Sequence, residues 1–411
     1  MTSQIAVFNL ECVAVASDSV ATLQAGSDRR TVATADKIFE LGSDHRVVAM
    51  TNGEARFAKV PLSLLISEWS RSLVGPFPAV TDYARSFVDW LTTRGDIFGS
   101  DSQNAFFAWQ VQDYFLSVRR RILEALSAAD SADEDWASPD VQALVDGAVW
   151  EGIDRLERCD DLLGIDAESD LQFLQESALL IREQFEYVFD DVPRTARSDA
   201  RLLTEVPALI LAKHETWTSD TTVALIGYGA DDIFPAMQAV DFHGLVNDQV
   251  RAVWRIPLSV TLESPSLIQT FAQSEAIHTF LRAYNDDFLR EAHRCIEAVF
   301  ADDKLIADDP AGIWDAIGQT LAEVTAALHA RLDTAFEELS QSKFVSPLHS
   351  TVELLSRSDM AQMAESLVGV QALRAASMIQ TPTVGGPIDV VVISRTHGVE
   401  WVRRKEFGRS W

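Results

Sequence analysis

Short apolar runs that favour β-strands stand at both ends of the chain, with long helical stretches between them. The first runs are residues 5–8 and 12–16, and the last are residues 388–393 and 399–402. Strands and helices do not alternate regularly along the chain, as a doubly wound parallel sheet would require. The order therefore predicts an α+β protein in which antiparallel sheets are covered by helices.

Strand-like runs recur in two further places. Residues 37–41 and 46–50 form a second pair, so the chain is expected to open with four strands. Residues 221–226 are mostly apolar or β-branched, and residues 250–256 alternate apolar with polar side chains, which is typical of a strand with one buried face. We therefore expect the sheets to combine segments that are far apart in the chain.

Helical periodicity fills the intervals between the strands. Apolar residues recur at three and four positions over residues 61–73, and three further helical stretches are expected between residues 104 and 190. Residues 265–377 are also expected to be helical, with Pro310 marking one helix start. These patterns divide the chain into the first part of a core (2–75), a helical insertion (76–219), core strands (220–262), a helical segment that is partly insertion (263–378) and a C-terminal core hairpin (379–411).

The composition excludes several classes of function. Acidic residues outnumber basic ones 62 to 34, and the net charge of -28 would repel nucleic acid and anionic lipid. The longest apolar runs are much shorter than the roughly 20 residues of a membrane helix. The three cysteines form no CxxC pair, and the scattered histidines form no set of metal ligands. We therefore expect a cytoplasmic protein that binds neither nucleic acid nor membrane, with no metal and no cofactor.

The start of the chain carries the strongest chemical signal, because Thr2 follows Met1 directly. A small second residue permits removal of Met1 in cells, which leaves an amine and a hydroxyl on the same residue. The α-amine of an N-terminal residue has a reference pKa of about 8. It can therefore accept the proton of the threonine hydroxyl directly or through water, so that one residue serves as nucleophile and base.

Two other residues follow Thr2 at sequence spacings that bear on its chemistry. Asp18 follows at the end of the second strand-like run, and Lys37 begins the next pair in the sequence Lys-Ile-Phe-Glu-Leu. Together the three resemble the opening of proteasome β-type subunits and of the related bacterial ATP-dependent peptidase, which are N-terminal-nucleophile (Ntn) hydrolases. The resemblance covers roughly residues 2–75, 220–260 and 380–405.

The resemblance implies a fold, a mechanism and a set of site residues. The fold is an αββα four-layer sandwich of two antiparallel sheets, here with two large helical insertions. Thr2 would be the nucleophile, Lys37 would lower the proton affinity of its hydroxyl and amine, and Asp18 would hold the lysine charged. The family's oxyanion and substrate contacts fall at Thr51, Asn52 and Gly53, and its auxiliary positions at Gly227, Tyr228, Gly229, Thr381 and Thr383.

The chain also departs from the family pattern. Family enzymes have a serine between two glycines where this chain has Tyr228, and an aspartate and a serine where it has Thr381 and Val384. These departures keep a second interpretation open, a non-catalytic scaffold or partner-binding protein with the same fold. The run Gly-Tyr-Gly also matches half of a dinucleotide fingerprint, but without the third glycine it is typical of a strand-ending turn.

The favoured function is hydrolysis of peptide or related amide bonds through Thr2 after removal of Met1. The partners expected from the family are a peptide or protein substrate, further copies of the chain in a homo-oligomer, and an ATPase or other protein.

Overall fold

The computed structural model of the protein describes residues 2–25, 28–32, 35–129, 136–162, 165–213, 221–300, 313–377 and 384–405. These residues combine helices with antiparallel sheets, so the α+β prediction is confirmed. The chain divides into two compact units. The first comprises Met1–Ile38, Asp232–Ala236 and Ser259–Trp411, and the second comprises Phe39–Asp231 and Met237–Leu258.

The strands and helices are numbered in chain order. The strands are β1 (Ser3–Asn9), β2 (Cys12–Asp18), β3 (Ala21–Ala25), β4 (Asp28–Val32), β5 (Ile38–Glu40), β6 (Arg46–Gly53), β7 (Arg56–Phe57), β8 (Val60–Pro61), β9 (Thr221–Tyr228), β10 (Ala236–Val246), β11 (Gln249–Trp254), β12 (Leu258–Ser259), β13 (Ser266–Ala272), β14 (Ile388–Ser394) and β15 (Gly398–Arg403). The helices are α1 (Leu62–Ser72), α2 (Val80–Thr92), α3 (Ser100–Ala128), α4 (Pro139–Glu157), α5 (Ala167–Glu176), α6 (Ala178–Phe189), α7 (Ala196–Ala212), α8 (Glu275–Arg282), α9 (Asp286–Phe300), α10 (Ile313–Ser340), a π-helix (Gln341–Val345), α11 (Ser346–Val352) and α12 (Arg357–Ser377).

The first unit is built on a five-stranded sheet with the order β13-β1-β2-β14-β15. The pairs of β1 with β13 and β2, and of β14 with β2 and β15, are antiparallel. Every residue of β1 and β2 is buried, which explains why these strands are nearly continuous apolar runs in the sequence. The sheet thus joins the β1–β2 hairpin to the β14–β15 hairpin through the pairing of β2 with β14.

Alternate residues of the central strands form the core of the first unit. Side chains two positions apart in a strand point to the same face. On that face α12 packs across β1, β2 and β14. The buried cluster contains Ile5, Val7, Cys12, Ala14, Ala16, Val390 and Val392 from the strands and Met360, Ala361, Ala364, Leu367 and Val368 from α12.

The second unit contains a sheet with the order β11-β10-β9-β6-β5, with β12 beside β10. Its helices α3, α4, α6 and α7 enclose a separate core of aromatic and branched side chains. The caps of two of these helices follow from sequence. The Ser138 hydroxyl accepts from the Val141 N–H before α4, and the Thr195 hydroxyl accepts from the Ser198 N–H before α7.

The structure also corrects several sequence predictions. β13 lies at Ser266–Ala272, where a helix was expected, because this segment supplies the edge strand beside β1. The long strand β10 and the hairpin of β3 and β4 were not predicted. Four helices, not three, begin between residues 100 and 178. The predicted helix start at Pro310 lies outside the described residues.

No helix within the described ranges combines the length and the apolar character needed to cross a membrane.

Candidate active site

The β1–β2 hairpin brings Thr2 and Asp18 to the same end of the first sheet. Gln4 lies opposite Ser17 in the ladder, so the next positions outward are Ser3 and Asp18. The backbone N–H of Ser3 donates to Oδ1 of Asp18 at 3.1 Å. The spacing of Thr2 and Asp18 along the chain is therefore a consequence of hairpin register.

Asn9 holds that register at the opposite end of the hairpin. Its side-chain oxygen accepts from the N–H groups of Glu11 and Cys12, both at 3.0 Å. Its amide nitrogen donates to the backbone oxygens of Val352 at 3.2 Å and Leu355 at 3.1 Å. A slip of one residue would turn every side chain of a strand to the other face, so this turn also determines which residues reach the Thr2 end.

Lys37 forms a buried ion pair with Asp18. Its ammonium nitrogen donates to Oδ1 of Asp18 at 2.6 Å and to the backbone oxygen of Val20 at 2.7 Å. Asp18 is 1% exposed, Lys37 7% and Thr2 6%. Since Oδ1 of Asp18 also accepts from the Ser3 N–H, the ammonium lies within two hydrogen-bond lengths of the peptide that joins Thr2 to Ser3.

The second oxygen of Asp18 is bound by the segment that leads into β14. The Gly385 N–H donates to Oδ2 of Asp18 at 3.1 Å, and the Ser19 N–H donates to the Gly385 oxygen at 3.2 Å. Gly385 has a φ of 147°, which side-chain-bearing residues rarely adopt. The segment Gly385-Gly386-Pro387 thus supplies a backbone donor to the carboxylate that holds Lys37.

The surroundings of Lys37 act on its pKa in opposite directions. Burial lowers the pKa of its ammonium below the usual range for lysine, the Asp18 carboxylate opposes this shift, and the nearby charge of Lys405 adds to it. An ammonium whose pKa is lowered by burial releases its proton more readily than that of a surface lysine. The group is therefore suited to influence a neighbouring hydroxyl and amine.

Two site residues, Asp389 and Lys405, were missed by the sequence analysis. Asp389 is buried on β14 opposite Ser17, and its carboxylate forms an ion pair with the Lys405 ammonium. Asp389 could have been recognised from the sequence, because it is the single charged residue in the apolar run of residues 388–393. No sequence pattern marks Lys405, because it is the fold that brings it to this end of the sheet.

The predicted oxyanion residues lie in the second unit. Thr51, Asn52 and Gly53 form the C-terminal end of β6, where they pair with Val223, Thr222 and Thr221 of β9.

Tyr228 lies at the other end of the same pair of strands, opposite Arg46. It is fully buried. A Cβ on Gly227 would stand 2.0 Å from the Arg46 oxygen, and one on Gly229 would stand 2.2 Å from the Pro78 oxygen. Close packing of backbone therefore requires both glycines, and this Gly-Tyr-Gly turn does not converge with Thr51–Gly53.

The remaining predicted residues, Thr381 and Thr383, lie outside the described residues. Within the described part of the chain, no three His, Cys, Asp or Glu side chains are grouped as metal ligands. Burial raises the pKa of the Cys12 thiol to about 12, which makes it a core side chain with little thiolate at neutral pH. The cluster of Thr2, Asp18, Lys37, Asp389 and Lys405 is therefore the candidate active site.

No protein-family model matches this chain, and a search of curated proteins found no match either.

Proposed function

We propose that the chain is an N-terminal threonine hydrolase that cleaves peptide or related amide bonds through Thr2 once Met1 has been removed. The observation that carries the proposal is the shared Oδ1 of Asp18, which accepts from both the Lys37 ammonium and the Ser3 N–H. A buried cation next to a residue that can carry both a hydroxyl and a free amine is the arrangement that such a nucleophile needs. The resemblance to proteasome β-type subunits supports the same function.

The reaction follows from these groups. The free α-amine of Thr2 accepts the hydroxyl proton as Oγ1 attacks the carbonyl carbon of the scissile amide. The negative charge that develops is stabilised by the nearby Lys37 ammonium, which Asp18 keeps oriented. The proton held by the α-amine passes to the leaving nitrogen, the C–N bond breaks, and an ester joins the acyl group to Thr2.

Water completes the cycle. It attacks the ester carbonyl while one of its protons passes to the Thr2 α-amine. The ester bond to Oγ1 then breaks, the proton returns to Oγ1, and the free carboxylic acid leaves. No cofactor is needed. The proposal includes the αββα four-layer arrangement of the two antiparallel sheets and a peptide or protein substrate, both implied by the family resemblance.

Mass spectrometry combined with a covalent probe tests the proposal. Intact mass of purified protein should show a chain that begins at Thr2. An epoxyketone or β-lactone should then add once per chain, and peptide mapping should locate the adduct on Thr2. A chain that retains Met1, or a free Thr2 that stays unlabelled after prolonged exposure to both probes, would count against the hydrolase.

Two variants serve as controls for the labelling. Thr2→Ala should not be labelled, since it lacks the hydroxyl. Ser3→Ala removes a buried hydroxyl from the adjacent residue but leaves the nucleophile, and it should be labelled at a rate close to that of the wild type.

A specific observation favours the alternative, a non-catalytic scaffold with the same fold. Tyr228, which stands at the family's auxiliary serine position, is buried beside glycines that backbone packing requires. This environment suits a structural side chain. The scaffold interpretation predicts that purified wild type retains Met1 or resists both probes.

A further inference from the structure

A second buried ion pair adjoins the Lys37–Asp18 pair. The Lys405 ammonium forms ion pairs with Asp389 and, at 3.0 Å, with Asp36. It also donates to the Ala35 oxygen at 2.9 Å and to the Ser19 hydroxyl at 3.3 Å. The Lys405 side chain is 5% exposed, so this ammonium is buried and is surrounded by hydrogen-bond acceptors.

The partners of Lys405 flank both members of the candidate active-site pair. Ala35 and Asp36 immediately precede Lys37, and Ser19 immediately follows Asp18. The Ala35 N–H also donates to the Ser19 oxygen at 2.9 Å. One ammonium therefore joins the segment that carries Lys37 to the end of β2, which carries Asp18.

Asp389 fixes Lys405 from the sheet side. Its position opposite Ser17 places it one step along the ladder from Asp18, which lies opposite Ile388. Oδ1 of Asp389 accepts from the backbone N–H of Lys405 at 2.8 Å, and Oδ2 accepts from its ammonium. The carboxylate thus holds both the backbone and the side chain of Lys405.

We propose that Lys405 and Asp389 are positioning residues for the Lys37–Asp18 pair. They hold residues 35–37 against the end of β2 and set the balance of charge around the Lys37 ammonium. This inference rests on the proposed function for its catalytic meaning. The effect on Lys37 itself is a physical property that can be measured without any reaction.

The charges around Lys37 give the two positioning residues opposite effects. Besides Asp18, the charged groups that act on Lys37 are Lys405, which lowers its pKa, and Asp389, which raises it. Loss of the Lys405 charge should therefore raise the Lys37 pKa, and loss of the Asp389 charge should lower it. A purely structural role would not produce shifts of opposite sign.

Nuclear magnetic resonance of lysine labelled with ¹³C at Cε provides the direct test. The chain has six lysines, so the Lys37 resonance can be assigned by its loss in Lys37→Arg. Its titration should move to higher pH in Lys405→Met and to lower pH in Asp389→Asn. Arg404→Met is the matched control, because it removes an adjacent exposed charge, and it should leave the titration unchanged.

A double variant guards against loss of folding. Removing one partner of a buried pair leaves an uncompensated charge, whereas Lys405→Met with Asp389→Asn removes both charges. In this variant the Lys37 titration should fall between those of the two single variants. The rate at which Thr2 is labelled should nevertheless fall about 10- to 100-fold, because displacement of a reacting group by about 1 Å can cost that much.

The outcomes separate this inference from the proposed function. If both single variants leave the Lys37 titration unchanged, or shift it in the same direction, the positioning role is wrong even where Thr2 is labelled normally. If the titrations shift in opposite directions while wild-type Thr2 is never labelled, the coupling of the two pairs holds and the hydrolase assignment is wrong.

Discussion

Each of the two units contains a buried ion pair, and the two pairs differ in their cation. In the first unit Lys37 pairs with Asp18 at 2.6 Å, and in the second Arg251 pairs with Asp170 at 2.6 Å. All four side chains are less than a tenth exposed. Because the two pairs are similarly buried, differences in their behaviour reflect the chemistry of the cation.

The Arg251–Asp170 pair is suited to hold elements together. The guanidinium binds both carboxylate oxygens and also donates to the backbone oxygens of Leu211 and Val246. It thereby connects α5, α7 and β11. A guanidinium stays charged in proteins and binds a carboxylate with a fixed forked geometry, so this pair can stabilise the unit but cannot exchange a proton.

The Lys37–Asp18 pair is similarly buried, but its cation can lose its proton. An ammonium is a compact charge that loses its proton readily when buried, and burial does lower the pKa of Lys37. Its carboxylate also binds the backbone beside Thr2 and at Gly385. The two buried pairs thus differ because only the lysine can give up its proton.

Removal of the arginine should give the largest effect. Arg251→Met leaves Asp170 as a buried carboxylate without its cation, and breaking one side of such a pair costs about 3 to 5 kcal/mol. Chemical denaturation of the variant should show this loss in the free energy of unfolding. The fraction that remains folded should still be labelled at Thr2. A loss below about 1 kcal/mol would remove the structural role assigned to this pair.

Removal of the lysine should act on the reaction. Lys37→Met keeps roughly the same side-chain length but deletes the charge to which the proposed mechanism assigns stabilisation of the transition state. This loss is expected to slow labelling of Thr2 by about 10²- to 10³-fold. Labelling kinetics, followed by intact mass at fixed probe concentration, measure this effect. Labelling as fast as in the wild type would leave Lys37 with only the structural role of its counterpart Arg251.

The pH dependence of stability should distinguish the pairs most directly. In Asp18→Asn, the Lys37 ammonium loses the partner that raised its pKa, so its folded pKa lies further below the unfolded value. This shift lowers the free energy of unfolding by its full amount at pH values below the folded pKa of Lys37. As pH rises through the folded pKa towards the unfolded pKa, the lost stability is regained.

The free energy of unfolding should therefore be measured between pH 7 and pH 10 for the wild type and for Asp18→Asn. The amount by which the variant is less stable than the wild type should shrink as pH rises. The matched variant Asp170→Asn should show a constant deficit over this range, since its guanidinium partner keeps its proton. Parallel curves for the two variants would contradict the distinction between the cations.

The smallest effect is expected from Thr2→Ala. It removes one hydroxyl and one methyl group from a buried residue, and burial of a methyl group contributes about 0.8 kcal/mol. The free energy of unfolding should fall by about 1 kcal/mol or less, although labelling is abolished. A much larger loss would show that Thr2 is a structural residue of the first unit.

Much of the candidate site could be predicted from the sequence because it depends on local spacing. Thr2 and Asp18 flank one hairpin, and the antiparallel pairing of its two strands predicts that they reach the same end. Lys37 could be predicted only through the family resemblance, since it lies beyond the hairpin. Asp389 and Lys405 are more than 350 residues away from Asp18, and no local pattern relates positions so far apart.

The sequence by itself determined the α+β class, the two terminal hairpins and the apolar faces of the helices, because these follow from periodicities of two and of three to four residues. Only the tertiary structure decided that Ser266–Ala272 is an edge strand of the first sheet, that Gly385 donates to Asp18, and that Lys405 lies beside the segment preceding Lys37. The physical reason is that strand pairing and burial of charge depend on partners from distant segments, and those partners become neighbours only when the sheet has formed.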